Sequence, residues 1–268
     1  MFDKLNTLTL EIAGLHLNLV FYQAKLVFTQ NKLTREIKQY YSSFVTQTSR
    51  KPNYKIELKE KYYRLISLNR DKTKSYSLIA KTIKPKIIEI SYEISIFHFQ
   101  KILYQVLNYL LFKKQGIMLH CSAVAKEGQA YIFLGKSGAG KSTITRLLKN
   151  KYQQIGEDTG IIRKIGNQFY FFQTPFIEAE PPYKKTRDCY HIARLYILKK
   201  SKTFKLKENK TSEQTIQFLL EETITEKQYL NKQAKLVTEL YAKHKPYILY
   251  FDKRSRELIK LLENNSPE

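Results

Sequence analysis

The chain has 268 residues, 43% of them hydrophobic, and sets 47 Lys and Arg against 24 Asp and Glu for a formal net charge of +23. That is enough apolar material for a buried core in one large domain or two modest ones, at ~100–200 residues per domain. No run of ~18 uncharged apolar residues occurs, which argues against a membrane-spanning helix, and two cysteines, Cys121 and Cys189, supply no disulfide framework and fit a reducing cytoplasm.

The first twenty residues are interrupted by Asp3 and Glu11 and do not form the basic, apolar and small-residue sections of a secretory signal. Short runs rich in β-branched and aromatic residues then alternate with polar breaks: Thr7 to Leu19, Tyr54 to Leu58, Tyr62 to Leu68, Ser75 to Ala80 and Ile87 to Tyr92 read as strands. A helix is expected over Lys32 to Ser43. A second, over Ile94 to Lys114, places Phe97, Ile102, Leu103, Val106, Leu107, Leu110 and Leu111 at helical spacing. These elements define an N-terminal α+β domain, residues 1–112, ahead of a second domain over 113–268.

Two apolar runs, Ile117 to Ala125 and Gln129 to Leu134, flank Lys-Glu-Gly128 and predict a hairpin. A helix is expected from Ser142 to Lys149 and a short strand before Glu157. Strands follow near Phe169 to Phe172 and Ala193 to Leu198, with helices near Thr211 to Glu222 and Glu226 to His244. A last strand, Tyr247 to Phe251, precedes a helix over Arg254 to Glu263. Of nine glycines, eight fall between Gly116 and Gly166. Tight backbone work is concentrated there, and so is the expected site.

Inside that stretch, Gly135, Lys136, Ser137, Gly138, Ala139, Gly140, Lys141 and Ser142 fit the pattern G-x-x-x-x-G-K-[ST], followed by Thr143. Glycines let successive N–H groups turn inward as an anion nest, and the following helix offers its free amides to phosphate. In such a loop Lys141 reaches the β- and γ-phosphates of a nucleoside triphosphate and the Ser142 hydroxyl completes Mg2+ coordination. The apolar strand before the loop and the helical face of Ile144, Leu147 and Leu148 after it supply the required context.

Phosphoryl transfer also needs carboxylates for the metal and for the acceptor's proton. Glu157 and Asp158 lie sixteen and seventeen residues after Lys141, room for one helix and one short strand to return them to the phosphates. Asp158-Thr-Gly160 reads equally as an ordinary turn. His120 stands on the first hairpin strand, where a lone imidazole is ordinarily satisfied within the core. It faces the phosphates only if its strand lies beside the loop strand.

The stretch Lys184 to Lys210 holds ten Lys and Arg against Asp188 and Glu208. Tyr183, Tyr190, Tyr196 and Phe204 interleave with it, a pattern compatible with a nucleic-acid groove, although a solvated basic surface accounts for it more simply.

Met118-Leu-His120-Cys-Ser-Ala-Val124, Ile132-Phe-Leu-Gly135 with the loop through Thr143, and Ile155-Gly-Glu157-Asp158 together resemble the catalytic domain of the HPr kinase/phosphorylase family. Phe172-Gln-Thr-Pro175-Phe176 and the closing Lys245 to Phe251 extend the likeness. The resemblance implies an α/β P-loop kinase domain of the phosphoenolpyruvate-carboxykinase-like type. It implies ATP and Mg2+ as cofactors, Asp158 as the base for an acceptor hydroxyl, Glu157 assisting at the metal with Ser142, and His120 beside the transferred phosphate. Glu157 stands where the family has Asp, and no Arg-Pro-Gly-Arg-Asn-like segment occurs.

The expectation is therefore a kinase acting on a Ser or Thr hydroxyl of a protein or peptide, with Lys184, Lys185, Arg187 and Arg194 as candidate substrate or phosphate contacts and a homo-oligomer compatible with the resemblance. A nucleotide-gated binding module without transfer, and a small-molecule hydroxyl kinase, are the alternatives.

Overall fold

The computed structural model describes residues 2–24, 30–47, 54–59, 80–84, 87–91, 96–177, 183–209, 212–252 and 255–264. It divides into two compact units, Met1–Leu103 and Tyr104–Glu268.

The first unit contains β1 (Phe2–Ile12), β2 (Leu15–Ala24), α1 (Gln30–Tyr40), β3 (Val45–Thr46), β4 (Tyr54–Lys59), β5 (Ala80–Lys84), β6 (Ile87–Ser91) and the opening turns of α2 (Ile96–Lys113). Its six-stranded sheet runs in the order β3-β1-β2-β4-β6-β5. The single strand expected over Thr7 to Leu19 is instead a hairpin. Ala13 and Gly14 take φ of 50° and 68°, a two-residue turn whose twist matches that of the flanking strands. The turn pairs Leu8 with Leu19, Leu10 with Leu17 and Ile12 with Leu15, all buried. Tyr41 and Phe99 meet edge to face at 5.5 Å within the same unit. The strand expected at Tyr62 to Leu68 and all but the last residue of Ser75 to Ala80 lie outside the described residues.

The second unit continues with β7 (Gly116–Lys126), β8 (Gln129–Leu134), α3 (Lys141–Leu148), β9 (Gln153–Gly156), β10 (Thr159–Ile165), β11 (Gln168–Gln173), β12 (Cys189–Lys200), β13 (Lys205–Glu208), α4 (Ser212–Glu221), β14 (Thr223–Ile224), α5 (Leu230–Lys243), β15 (Tyr247–Phe251) and α6 (Ser255–Glu263). The expected hairpin is β7 and β8, turning at Glu127 and Gly128. The C-terminal helices and the strand over Tyr247 to Phe251 also form where expected. β10, β13 and β14 were not expected.

β10 shows why a turn reading fails at Gly160. A Cβ there would strike the Phe171 ring and sit 2.9 Å from Cys121 Sγ. Glycine at 160 is thus a packing requirement inside a strand, paired with Leu119 on one side and Gln173 on the other.

β11 pairs with both β10 and β12, so the path β7, β10, β11, β12, β8 closes on itself. β12 runs parallel to β8 and β15, and β13 borders β15. Two cores cover opposite faces. Ile117, Leu119, Cys121, Ala123 and Ala125 of β7 pack with Leu219 of α4 and Leu236, Val237 and Leu240 of α5. Val124, Tyr131 and Phe133 pack with Ile144 and Leu148 of α3 and Leu258 and Leu262 of α6. A strand covered on both faces must be apolar nearly throughout, as β7 is.

His244 follows α5, its amide bonded to Leu240 O at 2.8 Å. Its ring packs edge to face on Phe169, and burial, with Lys243 adding, lowers its pKa to about 4. The unfolded chain takes up this proton near pH 6.5 and the folded one near pH 4, so the ring costs stability as pH falls through that window. His244→Leu is expected to flatten this part of the profile. Between pH 7 and pH 5 the wild-type protein should lose about 1–2 kcal/mol more than the variant, allowing for the ring's partial exposure, as read from urea denaturation midpoints.

Candidate functional site

The loop from Gly135 to Gly140 connects β8 to α3. Gly138 and Gly140 have φ of 78° and 105°, Gly140 is the N-cap of α3, and Ala139 N closes a turn onto Lys136 O at 2.9 Å. The first amides of α3, from Lys141 onward, have no partner within the helix and direct positive potential toward the loop. Lys141 is only 8% exposed. Its Nζ donates to Gly135 O at 2.5 Å, so the ammonium is held over the loop it serves. Ser142 is exposed on the first turn of α3.

β7 supplies the neighbouring wall. Because side chains alternate along a strand, the odd-numbered residues of β7 enter the α5-side core while His120, Ser122 and Val124 face the loop and α3. Ser122 Oγ donates to Lys141 O at 3.1 Å, tying the strand to the start of the helix. The condition placed on His120 is therefore met: its strand lies directly beside the loop strand.

The two acids arrive as the chain turns from β9 to β10. Thr159 is registered opposite His120, which puts Asp158 beside the imidazole. His120 Nε2 lies 3.2 Å from Asp158 Oδ1, and the Asp158 side chain is 72% exposed. Glu157 is half-buried and accepts from Gln154 Nε2 at 2.9 Å through Oε2. Asp158 and Glu157 thus diverge, the first open to solvent and the second held by Gln154 of the preceding strand. The other face of the imidazole meets a residue that sequence reasoning missed: Nδ1 lies 3.1 Å from Glu222 Oε2. Glu222 is buried. Burial pushes its pKa up, and His120 and Lys141 oppose that shift.

Further residues frame the rim. Tyr104 packs against Phe176 at 5.4 Å between ring centroids; burial raises the pKa of its hydroxyl, and the charge of Asp158 raises it further. Thr174 Oγ1 donates to Thr159 O. The Pro175-Phe176 segment singled out in the sequence therefore borders Asp158. Lys185 Nζ donates to Phe176 O at 2.5 Å and Thr186 N to Gln173 Oε1 at 2.9 Å, so this part of the basic stretch joins the rim through backbone contacts. Arg194 does not. It is registered opposite Tyr131, toward the start of β8, and its guanidinium covers the Tyr247 ring at 4.7 Å.

A magnesium ion asks for hard oxygen donors. The Ser142 hydroxyl and the open Asp158 carboxylate are of that kind, with Glu157 adjacent. Among the described residues no group of three or more His, Cys, Asp and Glu could hold a metal ion.

The phosphoenolpyruvate carboxykinase family profile matches residues 25–171, more than half of the chain, and takes in the whole hairpin, the glycine loop and the acid pair. The chain belongs to the phosphoenolpyruvate carboxykinase family. The ABC transporter profile also matches, over residues 120–262; the two share residues 120–171, where the loop lies. Curated relatives agree with the first. The phosphoenolpyruvate carboxykinase (ATP) of Oceanobacillus iheyensis is 36% identical over 90 residues, covering 33% of this chain and 16% of that protein. The enzyme of the same name from Rhizobium rhizogenes is 38% identical over 94 residues, covering 33% and 18%. The chain therefore matches less than a fifth of the length of these relatives. The solved structure of the Hpr(Ser) kinase/phosphatase from Coxiella burnetii aligns with 55% of this chain and 94% of its own at a TM-score of 0.32 and 11% identity.

The two left-handed glycines of the loop, Gly138 and Gly140, differ in what surrounds them. A Cβ at Gly138 meets nothing within 4 Å, whereas one at Gly140 would lie 2.7 Å from the Phe251 ring. Gly138→Ala is expected to cost about 1–2 kcal/mol of stability through backbone strain alone. Gly140→Ala should cost about 2–4 kcal/mol because overpacking adds to the strain. Equilibrium urea unfolding of the two variants side by side measures the difference.

Proposed function

We propose that the protein is an ATP- and Mg2+-dependent phosphotransferase that carries a γ-phosphate to a Ser or Thr hydroxyl of a protein or peptide. The observation that carries this reading is the placement of Asp158. An exposed carboxylate stands 3.2 Å from His120 Nε2, on the strand next to a loop whose lysine is already held over it. Family membership and the nucleotide for which the relatives are named support ATP.

The chain's own residues divide the work. The loop amides other than that of Ala139, which is taken by Lys136 O, bind and orient the β- and γ-phosphates together with the dipole of α3. Lys141 provides a fixed cation where negative charge develops on the transferred group. Asp158 accepts the proton of the acceptor hydroxyl as its oxygen bonds to the γ-phosphorus and the bond from that phosphorus to the β–γ bridging oxygen breaks, releasing ADP. His120 stays within reach of that carboxylate and holds it in place, and Glu157 with Ser142 contributes oxygen donors. Bound Mg2+ supplies charge neutralisation across the phosphate oxygens. The exposure of Asp158 favours a hydroxyl carried on a macromolecule, which can approach without being enclosed.

Incubation with labelled ATP and separated peptide pools tests the reading. Asp158→Asn should lower transfer by ~10²–10⁴-fold, the range for a lost general base, while calorimetry finds ATP affinity changed less than about threefold, since the amide cradle is untouched. Lys141→Ala should weaken ATP binding by ~10–100-fold, as expected for a lost charge-assisted contact. ATP uptake with no phosphorylated product from any pool would reject transfer and leave a nucleotide-gated module.

A further inference from the structure

We propose that Glu222 is a positioning residue that holds the His120 ring so that Nε2 faces Asp158. The inference rests on the phosphotransferase reading above for its consequence in catalysis, but its structural content stands apart from it.

Glu222 is fixed through its own backbone and that of its neighbour. It ends α4, where its amide bonds to Phe218 O at 3.0 Å, and its carbonyl receives the amide of His120 itself at 2.8 Å. The next residue, Thr223, pairs with Leu119 and its Oγ1 donates to Leu219 O at 2.7 Å. Helix end and strand ladder thus clamp Glu222 to the very residue whose side chain it meets. The two backbones cannot separate without breaking both.

The side-chain contact follows from that clamp. Glu222 Oε2 is buried and has no hydrogen-bond donor aligned on it; its polar neighbour is His120 Nδ1 at 3.1 Å. A buried carboxylate oxygen without a partner is costly, so the imidazole is pulled to this side by its Nδ1 edge. A ring with one nitrogen held offers the other in one direction only. That direction is Asp158, 3.2 Å from Nε2. Asp158, mostly exposed, has no comparable anchor of its own. The register of β10 on β7 sets its backbone beside the ring, and the ring nitrogen its side chain meets is the one that Glu222 leaves facing it. Other charged or titratable groups that bear on this cluster are Lys141 and Glu221, which act on Glu222, and Tyr104, which senses Asp158.

Two variants and two readouts test this. Glu222→Gln keeps shape and an acceptor oxygen; Glu222→Leu keeps bulk and removes the acceptor. Nitrogen-15 spectra of the ring in the nucleotide-free protein should show a proton on Nδ1 of His120 in the native and Gln forms, and loss of that single ring state in the Leu form. In transfer assays Glu222→Leu should lower kcat by ~10–100-fold, the range for removing a carboxylate behind a functional histidine. KM for ATP should move less than about threefold, and Glu222→Gln should recover most of the loss. An unchanged ring spectrum in Glu222→Leu overturns the inference. So does an unchanged kcat in that variant, with the slow exchange of the β7 and β14 amides showing that it remains folded. Should the native protein transfer no phosphate, the ring spectra still decide the role of Glu222, and the kinase reading fails alone.

Discussion

β7 has no solvent face along its buried length, and that constraint organises the second unit. One set of its side chains enters the core beneath α5 and the other lies against the loop and α3. A polar group cut off from water on such a strand must find its partner in a neighbouring element, and a half-buried one gains from doing so. Ser122 finds the first carbonyl of α3. His120 finds a carboxylate at each ring nitrogen. The same requirement that satisfies two buried or half-buried polar residues therefore joins the loop helix, the acid turn and the end of α4 into one site. The site is a consequence of how the strand is buried.

The parts of this arrangement written locally in the sequence were readable there. The glycine loop carries its meaning in eight consecutive residues, and the hairpin before it is announced by Glu127 and Gly128 between apolar runs. Glu157 and Asp158 were readable as candidates from their spacing after Lys141, which leaves room for one helix and one strand, and His120 from its place on the first hairpin strand. Glu222 was not. It lies in the run Glu221, Glu222, Glu226 at the end of a helix, a pattern that ordinarily marks a solvated face, and only the pairing of β14 with β7 turns it inward. β14 itself spans two residues, too short for any periodicity to show. β10 was hidden for the opposite reason: its glycine imitates a turn, and the ring that demands it, Phe171, belongs to another strand.

Charge patterning was readable as composition but not as placement. The basic stretch after Tyr183 divides between separate tasks. Lys185 braces the segment that borders Asp158, Arg194 covers a tyrosine among the residues beneath α3 and α6, and Lys205 and Lys207 stand on the border strand β13. A lysine-bearing edge strand discourages pairing with other chains, which gives part of the +23 a use unrelated to any anionic partner. Net charge summed over a chain cannot distinguish these roles, since each depends on which face of which strand the side chain occupies.

The two carboxylates at His120 show how one fold gives the same chemical group two different environments. Glu222 is buried, clamped by a helix end and a ladder bond, and its charged form is disfavoured by its surroundings. Asp158 is exposed at a turn between short strands and keeps access to whatever approaches the loop. A group that must accept a proton and release it to solvent needs the second environment, because a buried acid cannot exchange protons without an exit. A group that must keep a ring from rotating needs the first, because an exposed side chain loses too much rotamer entropy to hold one geometry. Exchanging the two would leave the composition of the site unchanged and remove both of the proposed roles. For this reason the acid pair adjacent in sequence, Glu157 and Asp158, is not the pair that the imidazole joins: Glu157 is turned back to Gln154 of the preceding strand, and the partner to Asp158 comes from the far side of β7.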